Sequence, residues 1–132
     1  MEITVSHEQA RIPVTVFTIV GDIDANSYSQ LQAQAEQAQA AGAHDILLDL
    51  SQVGFVSTAG IRAVNHIFNL LRTSAVEESD EAIHRGLRAG TFKSPHLKLL
   101  NPAPAVRQAL SMAGVDMFIE MFTDRQAALA AF

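Results

Sequence analysis

The 132-residue chain contains no cysteine. That removes thiolate nucleophiles, cysteine-held zinc, iron–sulfur clusters and disulfide bridges, and it agrees with a reducing, cytoplasmic setting, where we place the chain. Basic residues are also scarce: 9 Lys and Arg against 14 Asp and Glu give a formal net charge of -5. Such a balance disfavours an electrostatic grip on nucleic acid or on anionic lipid, so a protein partner is expected instead. Long hydrophobic runs are missing as well. Ile61 to Leu71 is interrupted by Arg62, Asn65, His66 and Asn69, and no stretch approaches the roughly 20 apolar residues that span a bilayer. Met1 to Glu8 has no basic lead into an apolar run, so no signal peptide is expected.

Motifs that carry chemistry are absent too. There is no Walker loop, GxGxxG or GxSxG, and the five histidines, at positions 7, 44, 66, 84 and 96, show neither HxH nor HExxH spacing. We therefore expect no metal, no cofactor and no enzyme of the common motif-bearing kinds. What is present is a globular composition, 48% hydrophobic and 17% charged, enough to build the core of a single domain over residues 1–132.

The pattern of elements is legible along the chain. Val14 to Val20 is β-branched and stops at Gly21-Asp22, as a strand does before a turn. Glu2 to His7 alternates, and the break at Pro13 makes it an edge strand paired with the next. From Asn26 or Ser27 to Gly42 the residues favour a helix with Tyr28, Leu31, Ala35 and Ala38 on one stripe. Asp45 to Leu50 is the continuous apolar run of a central, doubly buried strand. A second helix starts near Thr58 and carries Ile61, Val64, Ile67, Phe68 and Leu71. Residues 73–95 break the pattern with an acidic run, Glu77 to Glu81, then His84, Arg85, Arg88 and Lys93. They are expected to form an insertion with a helix or a partly ordered flap. Leu97 to Leu100 is a strand closed by Asn101-Pro102, and Pro104 opens a helix that Gly114 ends. Phe118 to Phe122 is a last strand. Thr123 and Gln126 offer a capping box for a terminal helix reaching Phe132. The order β-β-α-β-α-β-α-β-α defines an α/β domain with a mainly parallel sheet.

Three aspartates fall where ligands bind in such sheets: Asp22 and Asp24 after one strand, Asp49 near the end of the next. They suit turn and helix capping, or the acidic pocket of a receiver-like phosphoacceptor domain; the Asn101-Pro102 pair stands where receivers carry Lys-Pro.

The segment from Leu47 to Arg62, LLDLSQVGFVSTAGIR, resembles the signature of the STAS domain, the fold of bacterial anti-sigma-factor antagonists. Gly21-Asp22-Ile23-Asp24 resembles that family's Gly-Glu-Leu-Asp, and the element order is similar from end to end. The resemblance implies a non-catalytic switch that binds an anti-sigma factor which is also a serine-threonine kinase, and which releases it on phosphorylation at the start of the second helix. The family's phosphorylated serine falls on Thr58. Ser57 stands where the family often has Asp and Ala59 where it has a second Ser, so Thr58 and Ser57 both remain candidates. Physics makes the position suitable, since a helix start offers unpaired N–H groups and partial positive charge to a phosphate. The expected partner surface comprises Asp24, Asn26, Ser57, Thr58, Ala59, Gly60, Ile61 and Arg62, on neighbouring loops at one end of the sheet. An alternative makes the same fold a scaffold or small-ligand sensor that binds through 73–95, the segment by which this chain exceeds the family's usual length.

Overall fold

A computed structural model describes residues 1–74 and 94–132. The sequence-expected insertion at 73–95 falls almost wholly between these stretches, so its proposed helix and His84 lie outside the described residues. Five strands form one sheet in the order β1-β2-β3-β4-β5: β1 (Glu2–Gln9), β2 (Pro13–Val20), β3 (Ile46–Gln52), β4 (Leu97–Leu100) and β5 (Glu120–Phe122). Only β1 runs antiparallel to its neighbour, with Val5 opposite Phe17, and the other pairings are parallel. This is the mixed, mainly parallel α/β architecture expected. β3 is central and β1 is an edge.

Alternation along the strands sends side chains to two faces, and the faces are covered very differently. Phe17, Ile19, Ile46, Leu48, Leu50, Leu97 and Leu99 join the larger core. Over them lie α1 (Tyr28–Ala40), α2 (Thr58–Ser74) and α3 (Pro104–Met112). α1 buries only Leu31 and Ala35, with Tyr28 and Ala38 packed at the core margin, so its small-residue stripe suits close packing. α2 contributes Ala63, Val64, Ile67, Phe68 and Leu71, and α3 Val106 and Leu110. The opposite face holds Val14, Val16, Leu47 and Leu100, covered by Ala128, Leu129, Phe122 and Phe132. Among the described residues, the helix on this face is α4 (Arg125–Ala130).

Lys98 lies on this second face and is only 2% exposed. Its ammonium donates to Glu120 Oε1 at 3.0 Å and to the Ser94 carbonyl at 3.4 Å. It also sits 5.9 Å from the Phe122 ring centre and 5.4 Å from that of Phe132, within reach of cation–π attraction. A buried charge held this way is compensated instead of orphaned. Arg125 pairs with Glu8 at 3.1 Å and ties α4 back to the edge strand.

Several sequence-expected boundaries shift for identifiable reasons. β1 extends to Gln9 because its ladder continues to Pro13, and β2 begins at that proline. β3 covers Ile46–Gln52, not Asp45 to Leu50. An irregularity separates the Thr18–Asp49 and Val20–Gln52 pairs, with an extra residue on β3, where Ser51 N–H donates to Asp49 Oδ1 at 3.0 Å. α1 starts at Tyr28. The last strand shrinks to Glu120–Phe122, because Val115–Met117 forms a 3₁₀ turn after Gly114 adopts a left-handed φ of 81°. Phe118 instead packs edge-on against Phe68, with centroids 4.8 Å apart. The expected Thr123/Gln126 capping box is replaced by Asp124, whose Oδ2 accepts from Ala127 N–H at 2.9 Å, and α4 stops at Ala130.

Candidate functional site

The residues singled out from sequence gather at the C-terminal ends of β2 and β3. After β2, Asp24 makes a compact turn: its Oδ1 accepts from Asn26 N–H at 2.9 Å and from the Ser27 hydroxyl at 3.2 Å. Ser27 Oγ also donates to the Asp22 carbonyl at 2.8 Å and accepts from Asp24 N–H at 3.0 Å. That web, an Asx-type turn, consumes the hydroxyl expected to cap α1, so Ser27 holds the N-cap position before Tyr28 without a side-chain cap bond. Asn26 is exposed and Asp24 half-buried.

The second loop, Val53 to Ser57, is fastened to the first by backbone. Ile23 N–H donates to the Phe55 carbonyl at 3.0 Å, and Ser57 N–H donates to the Ile23 carbonyl at 2.9 Å. Ile23 and Val56 form an isolated parallel bridge. Ser57 then caps α2. Its Oγ accepts from Gly60 N–H at 3.2 Å and its carbonyl accepts from Ile61 N–H at 2.9 Å. Thr58 is the first helical residue and is exposed. No hydrogen bond engages its hydroxyl among the described residues.

Gly60 explains why the loops meet so closely. A Cβ there would overlap the Ile23 carbonyl oxygen and lie 2.9 Å from Val56 Cγ1, so only glycine admits this approach of helix to loop. Gly60 is buried, Ala59 and Ile61 are half-buried, and Arg62 is exposed one turn beyond Thr58. The eight expected residues therefore share one end of the sheet, but they divide by exposure: Asn26, Thr58 and Arg62 face solvent, whereas Gly60 shapes the backbone.

Two residues of the site escaped sequence reasoning. Ile23 supplies the carbonyl and N–H that join the loops, and nothing in a side chain announces a backbone role. Phe55 is 54% exposed, and its signal was an aromatic placed between Gly54 and a helix start.

The aspartates do not converge. Asp24 is engaged in its own turn, and Asp49 Oδ1 accepts from Ser51 N–H and from the Ser51 hydroxyl at 2.7 Å. Among the described residues no three His, Asp or Glu side chains gather in a metal-binding group. This arrangement matches turn capping better than a receiver pocket. Of the histidines, His7 and His44 are exposed, His66 pairs with Glu36 at 2.9 Å between α1 and α2, and His96 pairs with Asp45 at 3.0 Å at the opposite end of the sheet. No helix among the described residues is long and apolar enough to cross a membrane.

A five-stranded, mainly parallel sheet whose first helical face carries an exposed hydroxyl at a capped helix start defines the class. The STAS-domain family model matches residues 5–78, and the chain belongs to that family. Its fold is similar to that of the anti-sigma factor antagonist SpoIIAA in its unphosphorylated form, at 20% identity and a TM-score of 0.67, covering 95% of this chain and 92% of that one. The phosphorylated Bacillus SpoIIAA superposes at 17% identity and a TM-score of 0.63, with 96% of each chain covered. An anti-sigma factor antagonist from Mycobacterium paratuberculosis gives 19% identity and a TM-score of 0.68, covering 98% of this chain and 93% of that one. No curated protein matches the sequence.

Proposed function

We propose that this chain is a cytoplasmic, non-catalytic partner switch: unmodified, it binds an anti-sigma factor that is also a serine-threonine kinase, and phosphorylation of Thr58 weakens that binding. The observation that carries the proposal is the division of labour between two adjacent hydroxyls. Ser57 Oγ is committed to Gly60 N–H, while the Thr58 hydroxyl is exposed on the first residue of α2. A kinase reaches the second without dismantling the cap. In the transfer, the bond between Thr58 Oγ1 and the γ-phosphorus of ATP forms as the bond to ADP breaks, and the hydroxyl proton passes to the kinase.

The modified domain has reason to stay folded. A phosphate brings about -1.5 to -2 charges, and at an α2 N-terminus these meet unpaired N–H groups and the positive end of the helix dipole. The conflict arises on the surface formed by Asp24, Asn26, Ser57, Thr58, Ala59, Ile61 and Arg62, where a partner packed closely would have to desolvate the new charge. Similarity to an antagonist that exists in unphosphorylated and phosphorylated forms supports the same reading.

The test is incubation with ATP and each purified anti-sigma-factor kinase of the protein's own cell, followed by phosphopeptide mapping and titration of Thr58→Asp. We expect phosphate on Thr58, and a Thr58→Asp variant that binds at least tenfold more weakly with its thermal midpoint unchanged. Phosphate on Ser57 instead, or equal binding by both forms, overturns the assignment.

A further inference from the structure

Phe55 is the exposed phenylalanine among the described residues; Phe17 and Phe68 are buried, and Phe118, Phe122 and Phe132 are half-buried. A single exposed apolar side chain is ordinary on a protein surface, so the ring matters here for how it is mounted. Here the segment is fixed. The Phe55 carbonyl accepts from Ile23 N–H at 3.0 Å, the next residue bridges to Ile23, and Ser57 N–H donates to the Ile23 carbonyl. The backbone that carries the ring is thus pinned from both sides, and Gly60 locks the same loop from beneath. Phe55 also stands three residues before Thr58, in the loop that leads into α2. An aromatic presented on an ordered backbone loses little entropy on burial, which is the character of an interface hot spot.

We propose that Phe55 is the apolar anchor of the interface, inserted into a dry socket of the anti-sigma factor. The inference rests on the partner-switch reading above and supplies its missing physics. A phosphate on Thr58 interrupts binding because it brings a dianion to the margin of a water-excluded contact, where desolvation opposes docking. Phe55 and Thr58 are therefore energetically coupled through one contact, not independent contributors.

The experiment measures equilibrium and rate constants for the same purified anti-sigma-factor kinases with wild type, Phe55→Ser, Phe55→Leu, Thr58→Asp and the Phe55→Ser/Thr58→Asp double variant. Met112→Ser is the control, because Met112 is 82% exposed and ends α3, away from the site. Phe55→Ser is expected to weaken binding at least tenfold, mostly through faster dissociation, with the thermal midpoint unchanged. Phe55→Leu should restore most of the affinity, and Met112→Ser should bind as wild type. The double variant should lose clearly less than the product of the two single losses, the signature of coupling. Wild-type affinity in Phe55→Ser, an equal loss in Met112→Ser, or fully multiplicative losses where Thr58→Asp by itself weakens binding would overturn the anchor. If Thr58→Asp binds normally while Phe55→Ser does not, the phosphate switch fails and the anchor's role in docking stands. If wild type binds none of these kinases, both proposals fall together.

Discussion

The two ends of the parallel strands share main-chain joins and differ in what their side chains do. At the N-terminal end a side-chain pair reinforces main-chain bonds: Thr15 N–H donates to the Asp45 carbonyl and Ile46 N–H to the His96 carbonyl, both at 2.9 Å, and His96 Nδ1 meets Asp45 Oδ1 at 3.0 Å, with both side chains largely enclosed. Beside Asp45 opens a groove of about 460 Å³, whose lining mixes alanines with His7, Gln34, Gln37 and His44. At the C-terminal end the backbone makes the join, through Ile23, Phe55 and Ser57, and the side chains of Phe55, Thr58 and Arg62 are left to solvent. The lesson is that a surface fastened by main chain can carry exchangeable side chains, including a modifiable one, with little effect on folding.

Three substitutions sharpen that contrast. The largest effect is expected from Gly60→Ala, whose new methyl must push the Ile23 carbonyl and Val56 aside; overpacking of this kind costs about 3 kcal/mol, measurable by urea denaturation. A variant as stable as wild type would mean that the loops are not locked by this close approach. Next comes Asp45→Ala, which removes the 3.0 Å contact between Asp45 Oδ1 and His96 Nδ1 and should cost about 1 kcal/mol, with partner binding unchanged because the site is at the far end. Of similar size is Ser57→Ala, which removes one N-terminal cap for about 1 kcal/mol. Phosphorylation of Thr58 in that variant should persist; a complete loss of modification would point to Ser57 as the acceptor.

A second contrast, between the sheet faces, shows how far a sequence can be read. On the helix-covered face the pattern was plain, because Val64, Ile67, Phe68 and Leu71 recur at helical spacing and β3 is an unbroken apolar run. The class, the element order and the central position of β3 followed from those signals. On the other face, Lys98 interrupts LKLL like a solvent-facing residue, yet it is enclosed between Glu120, Phe122 and Phe132. Apart from the Ser94 carbonyl, its partners are 22 or more residues distant in sequence, beyond the reach of local pattern.

The candidate site divides in the same way. Thr58 as the start of α2, and the clustering of Asp24 and Asn26 with it, were legible from turn chemistry and motif. The separate duties of Ser57 and Thr58 were not, since both are hydroxyls suited to a helix start and only the direction of Gly60 N–H distinguishes them. Ser27 shows the converse error. It stands at the N-cap position of α1, but the turn just before it offers its hydroxyl the Asp22 carbonyl and the Asp24 carboxylate instead.

By itself, then, the sequence determined the α/β class, the alternation of strands and helices, and the place of the hydroxyl pair, because those depend on residue periodicity and local capping. Which hydroxyl stays free, why position 60 must be glycine, and that Phe55 stands fixed in solvent were decided by tertiary structure. The last two depend on the Ile23 backbone arriving from more than thirty residues away, a contact that leaves no periodic trace in a sequence, and the first on the direction the folded loop gives Gly60 N–H.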